Sequence, residues 1–176
     1  TTDEGGVAGK WEIEYQCISR ANQALSILNQ VDYAQKNERI AEMRFLRANN
    51  YCWLKLNFRH IPFIDETVDV ADYNQVRNDL DDEALWGRII ADFQFAVDNL
   101  PASNADGAVG RPTKYAAEAY LAKTLLYAAY EQDEANQVVS INLEKLNKVV
   151  TLCNDVLTSS GKHLFADFAD NFRCET

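Results

Sequence analysis

The chain is expected to fold as an all-α, tetratricopeptide-like array of antiparallel helical hairpins with long loops. Three observations carry that expectation. Seven Gly and three Pro in 176 residues leave few breaks, and the residues between them are mostly good helix formers. In successive stretches apolar residues recur at spacings of three and four, the period of one side of a helix. The pattern also repeats: Ala41-Glu42 and Ala117-Glu118 each open a helix with a small and an acidic residue, followed by bulky side chains and then Tyr51 or Tyr127, at a separation of 76 (117 − 41). Trp11 and Trp86 head the preceding helices, 75 apart (86 − 11). Hairpins repeating in register mark a tetratricopeptide-like array, here with longer loops than the usual unit of about 34 residues.

A first helix is expected from about Gly9 to Leu28, with Trp11, Tyr15, Ile18, Asn22 and Leu25 on one face. An aromatic pair at i, i+4 such as Trp11 and Tyr15 is more often core than a ligand-stacking pair. The short connection Val31 to Lys36 favours an antiparallel partner. That partner is a long helix from about Asn37 to Phe58, whose apolar positions Ile40, Met43, Leu46, Leu54 and Phe58 have Phe45, Tyr51, Cys52 and Trp53 beside them. Pro62 cannot continue it, so Ile61 to Ile64 leaves as a short extended arm.

Between Asp65 and Glu83 stand eight acidic residues against the single Arg77, without periodicity, which reads as a surface excursion. Oxygen ligands crowd it, but no D-x-[DN]-x-[DN]-G run is present, so a solvated loop is favoured over a calcium site. Asp79 or Asp81 is placed to cap the third helix, with Asp82 and Glu83 in its first turn offsetting the helix dipole. That helix, about Asp82 to Leu100, carries Leu85, Trp86, Ile89, Ile90, Phe93, Ala96 and Val97 and stops at Pro101. A small polar loop from Ala102 to Val109 follows, and Thr113 is the expected N-cap of a fourth helix. Gly110 fits neither G-x-x-x-x-G-K-[ST] nor G-x-G-x-x-G, so phosphate binding is disfavoured. A fifth helix from Asn142 is expected to bury Leu143, Leu146, Val149, Val150, Cys153 and Leu157, to end near Gly161, and to begin a third hairpin. The expected shared core is Trp11, Tyr15, Phe45, Leu46, Trp86, Ile90, Leu121 and Leu125, so that Leu46→Ala should cost about 2–5 kcal/mol.

Composition bounds function. A hydrophobic content of 47% with 11% aromatics supports a real core in one domain or one lobe. The formal charge of −10 and pI near 4.6 oppose binding to nucleic acid or an anionic membrane, which need a basic face. A neutral ligand fits better. No apolar run approaches the roughly 20 residues of a membrane helix. The opening Thr1-Thr2-Asp3-Glu4-Gly5-Gly6 lacks an initiator Met, a signal peptide and a lipobox cysteine, so a piece of a longer protein is expected. Cys17, Cys52, Cys153 and Cys174 are widely spaced and read as small core residues or free thiols rather than bridges. With two histidines, no H-E-x-x-H and no G-x-S-x-G, catalysis, a metal and a cofactor are all disfavoured.

Five motifs resemble the SusD/RagB family of outer-membrane glycan-binding lipoproteins. Trp11, Tyr15, Ile18 and Ala21-Asn22 are similar to its "W…Y…I…AN"; Ala41-Glu42-Met43-Arg44-Phe45-Leu46-Arg47-Ala48 with Tyr51, Leu54 and Ile61-Pro62-Phe63 to its "AEARFLRA…Y…L…G-x-P". Ile89 to Phe93 with Leu100-Pro101 resembles "I-x-x-D-L…L-P"; Gly110-Arg111-Pro112-Thr113 through Ala116-Ala117 resembles "GR-x-T-x-x-AA"; Ser160-Gly161 through Phe172 resembles "SGxYxL…F". The chain departs at Asn57-Phe58-Arg59-His60, where the family often has Phe-Gly, so a tight turn must be made without glycine.

The resemblance implies a non-catalytic component of a glycan uptake system, at the outer membrane as a lipoprotein, that binds an oligo- or polysaccharide and docks on a SusC-like TonB-dependent transporter. It also implies that the helical repeats face the transporter while other parts complete the sugar pocket, leaving this chain a weak glycan binder by itself. No membrane contact is implied except a lipid anchor outside the chain. The repeat alone equally suits a generic scaffold binding a protein or peptide. The aromatic-plus-polar cluster to test for ligand binding is Tyr73, Asn74 and Arg77 in the acidic loop.

Overall fold

The computed structural model describes residues 5–104 and 108–172; Cys174 and part of the Ala102 to Val109 loop lie outside the described residues. Helices α1 (Val7–Gln30), α2 (Lys36–Phe58), α3 (Asp82–Asn99), α4 (Lys114–Ala128) and α5 (Leu143–Ser159) follow one another, with 3-10 helices at Val70–Gln75 and Phe168–Phe172. Each helix packs on its predecessor and its successor, and α2 also touches α4. The result is the all-α hairpin array read from the repeat.

The caps fall where side-chain chemistry places them. Asp81 accepts from the Ala84 N–H at 2.7 Å, Thr113 from Ala116 at 3.3 Å and Asn142 from Lys145 at 3.0 Å, each satisfying one orphan donor of a first turn. One element was not expected: between α4 and α5 the chain forms an antiparallel ribbon of β1 (Tyr130–Gln132) and β2 (Val138–Ile141), with every strand residue exposed. It turns where Asp133 Oδ1 accepts from the Ala135 and Gln137 N–H groups at 2.9 Å.

The core runs through the middle of the array, with Tyr51, Phe93, Ile18, Leu54, Leu85, Ile89 and Leu121 fully buried. Burying each such side chain contributes about 1.5–3 kcal/mol. Of the expected core, Trp86, Leu121 and Leu125 are buried, and Trp11, Tyr15, Phe45 and Ile90 pack against the cluster from partly buried positions. Leu46 does not belong to it, being 44% exposed. The reason is polar: Arg47 and Lys55 are buried beside Tyr51, so the inward side of α2 is rotated away from the side that apolar residues alone would select. Cys17, Cys52 and Cys153 are free thiols, and only Cys52 is buried.

Helix α2 ends in a turn made without glycine. Arg59 takes φ 60, ψ −68, and the His60 N–H reaches the Phe58 carbonyl at 2.7 Å, the geometry of a strained γ-turn. Its guanidinium spans to the ribbon, donating to Asn136 Oδ1 at 2.8 Å and to the Asp133 carbonyl at 2.5 Å. These bonds supply a reason for an arginine where a bare glycine would relieve the backbone.

Candidate functional site

The γ-turn sends Ile61 to Ile64 back across α1 and α2, and polar side chains of both helices hold it by its backbone. The Tyr15 hydroxyl donates to the Pro62 carbonyl at 2.8 Å. The Tyr51 hydroxyl donates to the Ile64 carbonyl at 2.7 Å and accepts from the Ile64 N–H at 2.8 Å, while Asn22 Nδ2 donates to the same carbonyl at 2.9 Å. Ile61, Phe63 and Ile64 are buried, and the Phe63 ring stacks on Tyr51 with centroids 4.4 Å apart. Burial pushes both tyrosine hydroxyls well above their ordinary range, so they stay protonated and remain donors.

Beneath the arm lies Arg47, 3% exposed. Its Nε and Nη2 grip both oxygens of Asp92 on α3 at 2.7 and 2.9 Å; Nη1 donates to Asn22 Oδ1 at 2.8 Å and to Glu66. A bidentate arginine–carboxylate pair is among the strong hydrogen-bonded contacts, and Arg47 thereby ties α1, α2, α3 and the start of the acidic loop at one point. The two carboxylates respond differently. Burial lifts the Asp92 carboxyl against the pull of Arg47. Burial also acts on Glu66, but there the hydrogen bond and charge of Arg47 prevail and hold it below the usual carboxylate range.

An open cleft of about 510 Å³ sits on this hub, between the second half of α1 and the loop beyond the arm. Asn22 and Glu66 line it, with Ser26, Ile27, Thr67 and Tyr73. Hydroxyls that both donate and accept, set beside aliphatic walls, suit a neutral hydroxylated ligand. Of the three residues singled out in the acidic loop, Tyr73 faces the cleft from the 3-10 helix Val70–Gln75. Asn74 and Arg77 are exposed and do not line it; Arg77 Nε pairs with Asp79 at 2.7 Å. The other acids of the loop have local work: Asp65 accepts from Thr67, Asp69 from the Ala71 N–H, and Asp82 pairs with Lys55. Among the described residues no group of His, Cys, Asp and Glu is arranged to hold a metal ion. A larger hollow of about 610 Å³, lined by Arg111, Tyr115 and Lys162 among others, lies between the loop before α4 and the end of α5.

Sequence reasoning missed the part played by Asn22, Arg47 and Asp92, although all three stand in the motifs quoted above. The available signal was an arginine and an asparagine on helix faces otherwise apolar, since buried polar groups need partners.

The geometry therefore defines a helical-hairpin repeat protein whose motif residues clamp a return arm under a polar cleft. Residues 1–126 match a SusD-like family model described as starch-binding associating with outer membrane, and the chain belongs to the SusD-like family. SusD-like protein P2 of Formosa agariphila is 36% identical over 128 residues, 70% of this chain and 25% of that protein. A laminarin-binding SusD-like protein of known structure is 27% identical with a TM-score of 0.77, covering 93% of this chain and 34% of that one. A solved structure with a xylogluco-oligosaccharide is 25% identical, TM-score 0.76, covering 94% and 32% respectively. The chain thus spans about a quarter of the curated relative and about a third of the two solved chains.

Proposed function

We propose that this chain is the helical-repeat part of a non-catalytic surface glycan-binding protein that passes oligo- or polysaccharide to a SusC-like TonB-dependent transporter, held at the outer membrane by a lipid anchor. The observation that carries the reading is family membership joined to two solved relatives, one a laminarin-binding protein and one seen with a xylogluco-oligosaccharide. The chemistry is compatible: a cleft of hydroxyl and amide groups beside the Glu66 and Asp69 carboxylates, in a chain of formal charge −10, favours a neutral saccharide over an anionic one. His60 lies 3.3 Å from Glu134 on the surface, and His163 is exposed. Tyr73, with Asn74 and Arg77 on the same loop, is the proposed sugar-contacting group of this part.

Calorimetric titration of the intact protein with a panel of neutral glycans, beside a peptide pull-down, tests the reading. Tyr73→Ala is expected to weaken glycan binding about tenfold, the size of one lost stacking or hydrogen-bonded contact. Unchanged affinity removes Tyr73 from the site. Peptide binding without any glycan binding replaces the reading with a scaffold.

A further inference from the structure

Among the described residues two non-glycine positions have a positive φ, Arg59 at 60° and Asn136 at 59°. They stand 77 residues apart in the chain and are bonded to each other, Arg59 Nη1 donating to Asn136 Oδ1 at 2.8 Å. Arg59 Nη2 reaches the Asp133 and Gln132 carbonyls at 2.5 and 3.4 Å, and His60 Nε2 lies 3.3 Å from Glu134 Oε2. The guanidinium side chain is mostly covered, 22% exposed. The γ-turn that launches the return arm is thus tied to the tip of the β1–β2 ribbon, which belongs to the connection after α4.

We propose that the ribbon is a clasp for the return arm, with Arg59 the positioning residue that carries its hold to the wall of the cleft. Asparagine tolerates positive φ, but an arginine at φ 60, ψ −68 sits in a sparsely populated region. A residue strained in that way keeps its conformation only while its surroundings enforce it. The backbone bonds of the turn, from the Arg59 N–H to the Lys55 carbonyl at 3.0 Å and from the His60 N–H to the Phe58 carbonyl at 2.7 Å, are local, and a glycine would make them equally well. The ribbon's acceptors are what an arginine adds. The heading of the arm matters because Ile61 and Phe63 are buried and extended chain presents alternate residues to one side; a slip of one residue at its start would turn Pro62 inward in their place. Tyr15, Tyr51 and Asn22 hold the arm at Pro62 and Ile64, and the clasp holds its near end. Two residues past Ile64, Glu66 lines the cleft, so the short run from Arg59 to Glu66 joins ribbon to cleft wall. Arg59 has this role whichever ligand the cleft takes.

Hydrogen–deuterium exchange of the intact protein, read by mass spectrometry over residues 61–66 with residues 85–93 of α3 as the reference, tests the clasp. Asn136→Gly keeps a residue at ease with positive φ and deletes the acceptor. It should speed exchange of 61–66 about fivefold, the size of one hydrogen bond, and leave 85–93 unchanged. Arg59→Ala loses every ribbon bond while keeping a side chain that disfavours the turn, and should speed exchange of the arm by more than about tenfold. Arg59→Gly loses the same bonds but relieves the backbone, so its arm should exchange more slowly than that of Arg59→Ala and should no longer respond to Asn136→Gly. An arm indifferent to Asn136→Gly, equal exchange in Arg59→Ala and Arg59→Gly, or an effect of Asn136→Gly that persists beside Arg59→Gly each overturns the clasp. So does acceleration of 85–93 by the same factor as the arm, which would mark opening of the whole fold rather than release of the arm.

Discussion

The two complete hairpins carry one sequence pattern and bury it differently. Tyr51 and Tyr127 occupy the same place in the repeat, but Tyr51 is fully buried and Tyr127 is 48% exposed. Arg47 and Lys123 correspond as well; the first is buried in a hub of four hydrogen bonds to three partners and the second lies on the surface. The glutamates that open each second helix also diverge: Glu42 takes Arg39 and Arg111, at 2.5 and 2.8 Å, whereas Glu118 takes Lys114 at 3.2 Å and its other oxygen has no hydrogen-bond partner among the described residues. Helix pairing is the same in both. What differs is the connection that follows. After α2 the chain turns at Arg59 and lays Ile61 to Ile64 over Tyr51; after α4 it leaves as an exposed ribbon. A repeat pattern dictates which helices pair, and the return arm decides which side of the second helix is inside.

The contrast is broken most sharply at Arg47. Arg47→Met strands Asp92 and should cost about 3–5 kcal/mol, the penalty of removing one partner of a buried ion pair, while Lys123→Met should stay within about 0.5 kcal/mol. Urea denaturation of both variants measures the gap; equal losses would mean the hub does not hold the first hairpin. Next in size, Leu54→Ala should cost about 2–5 kcal/mol because Leu54 is fully buried. Leu46→Ala, on the open side of the same helix, should barely shift the midpoint, contrary to the expectation from apolar spacing. Smaller again is the tyrosine pair. Tyr51→Phe removes both bonds to the Ile64 backbone and should cost about 1–3 kcal/mol; Tyr127→Phe should be silent in the same thermal melts.

Much of this architecture was legible because it is local. Helix periodicity, the caps at Asp81 and Thr113, the stop at Pro62 and the repeat all act within a few turns of chain. Leu46 was misplaced because its neighbour Arg47 is buried through partners on three other segments, Asn22, Glu66 and Asp92, which no window of α2 contains. The ribbon was missed because its strands are short, wholly exposed and so without an inward pattern to read. The cleft was half legible. Tyr73 was named from its loop, but the other wall comes from Asn22 and Ser26, more than forty residues earlier, and only the fold brings them together.

Glu66 sharpens the comparison at its edge, where the first hairpin's arm gives way to the acidic loop. Burial raises its carboxyl and Arg47 lowers it further, so its folded value lies below the ordinary 4.5. A group depressed by folding stabilises the native state above its unfolded value, and that stability is lost as the pH falls through the folded one. The ionised Glu66 should therefore support the arm at neutral pH and progressively cease to do so below about 4.5. Glu66→Gln keeps the shape and removes the charge. Its deficit should be about 1 kcal/mol at pH 7 and should close as both proteins are acidified, because the wild type then loses what the variant never had. Thermal melts of the two proteins across pH 7 to 3 decide it. A constant offset through that range would mean that Glu66 supports the arm by packing alone, and that the charge on Arg47 is carried by Asp92.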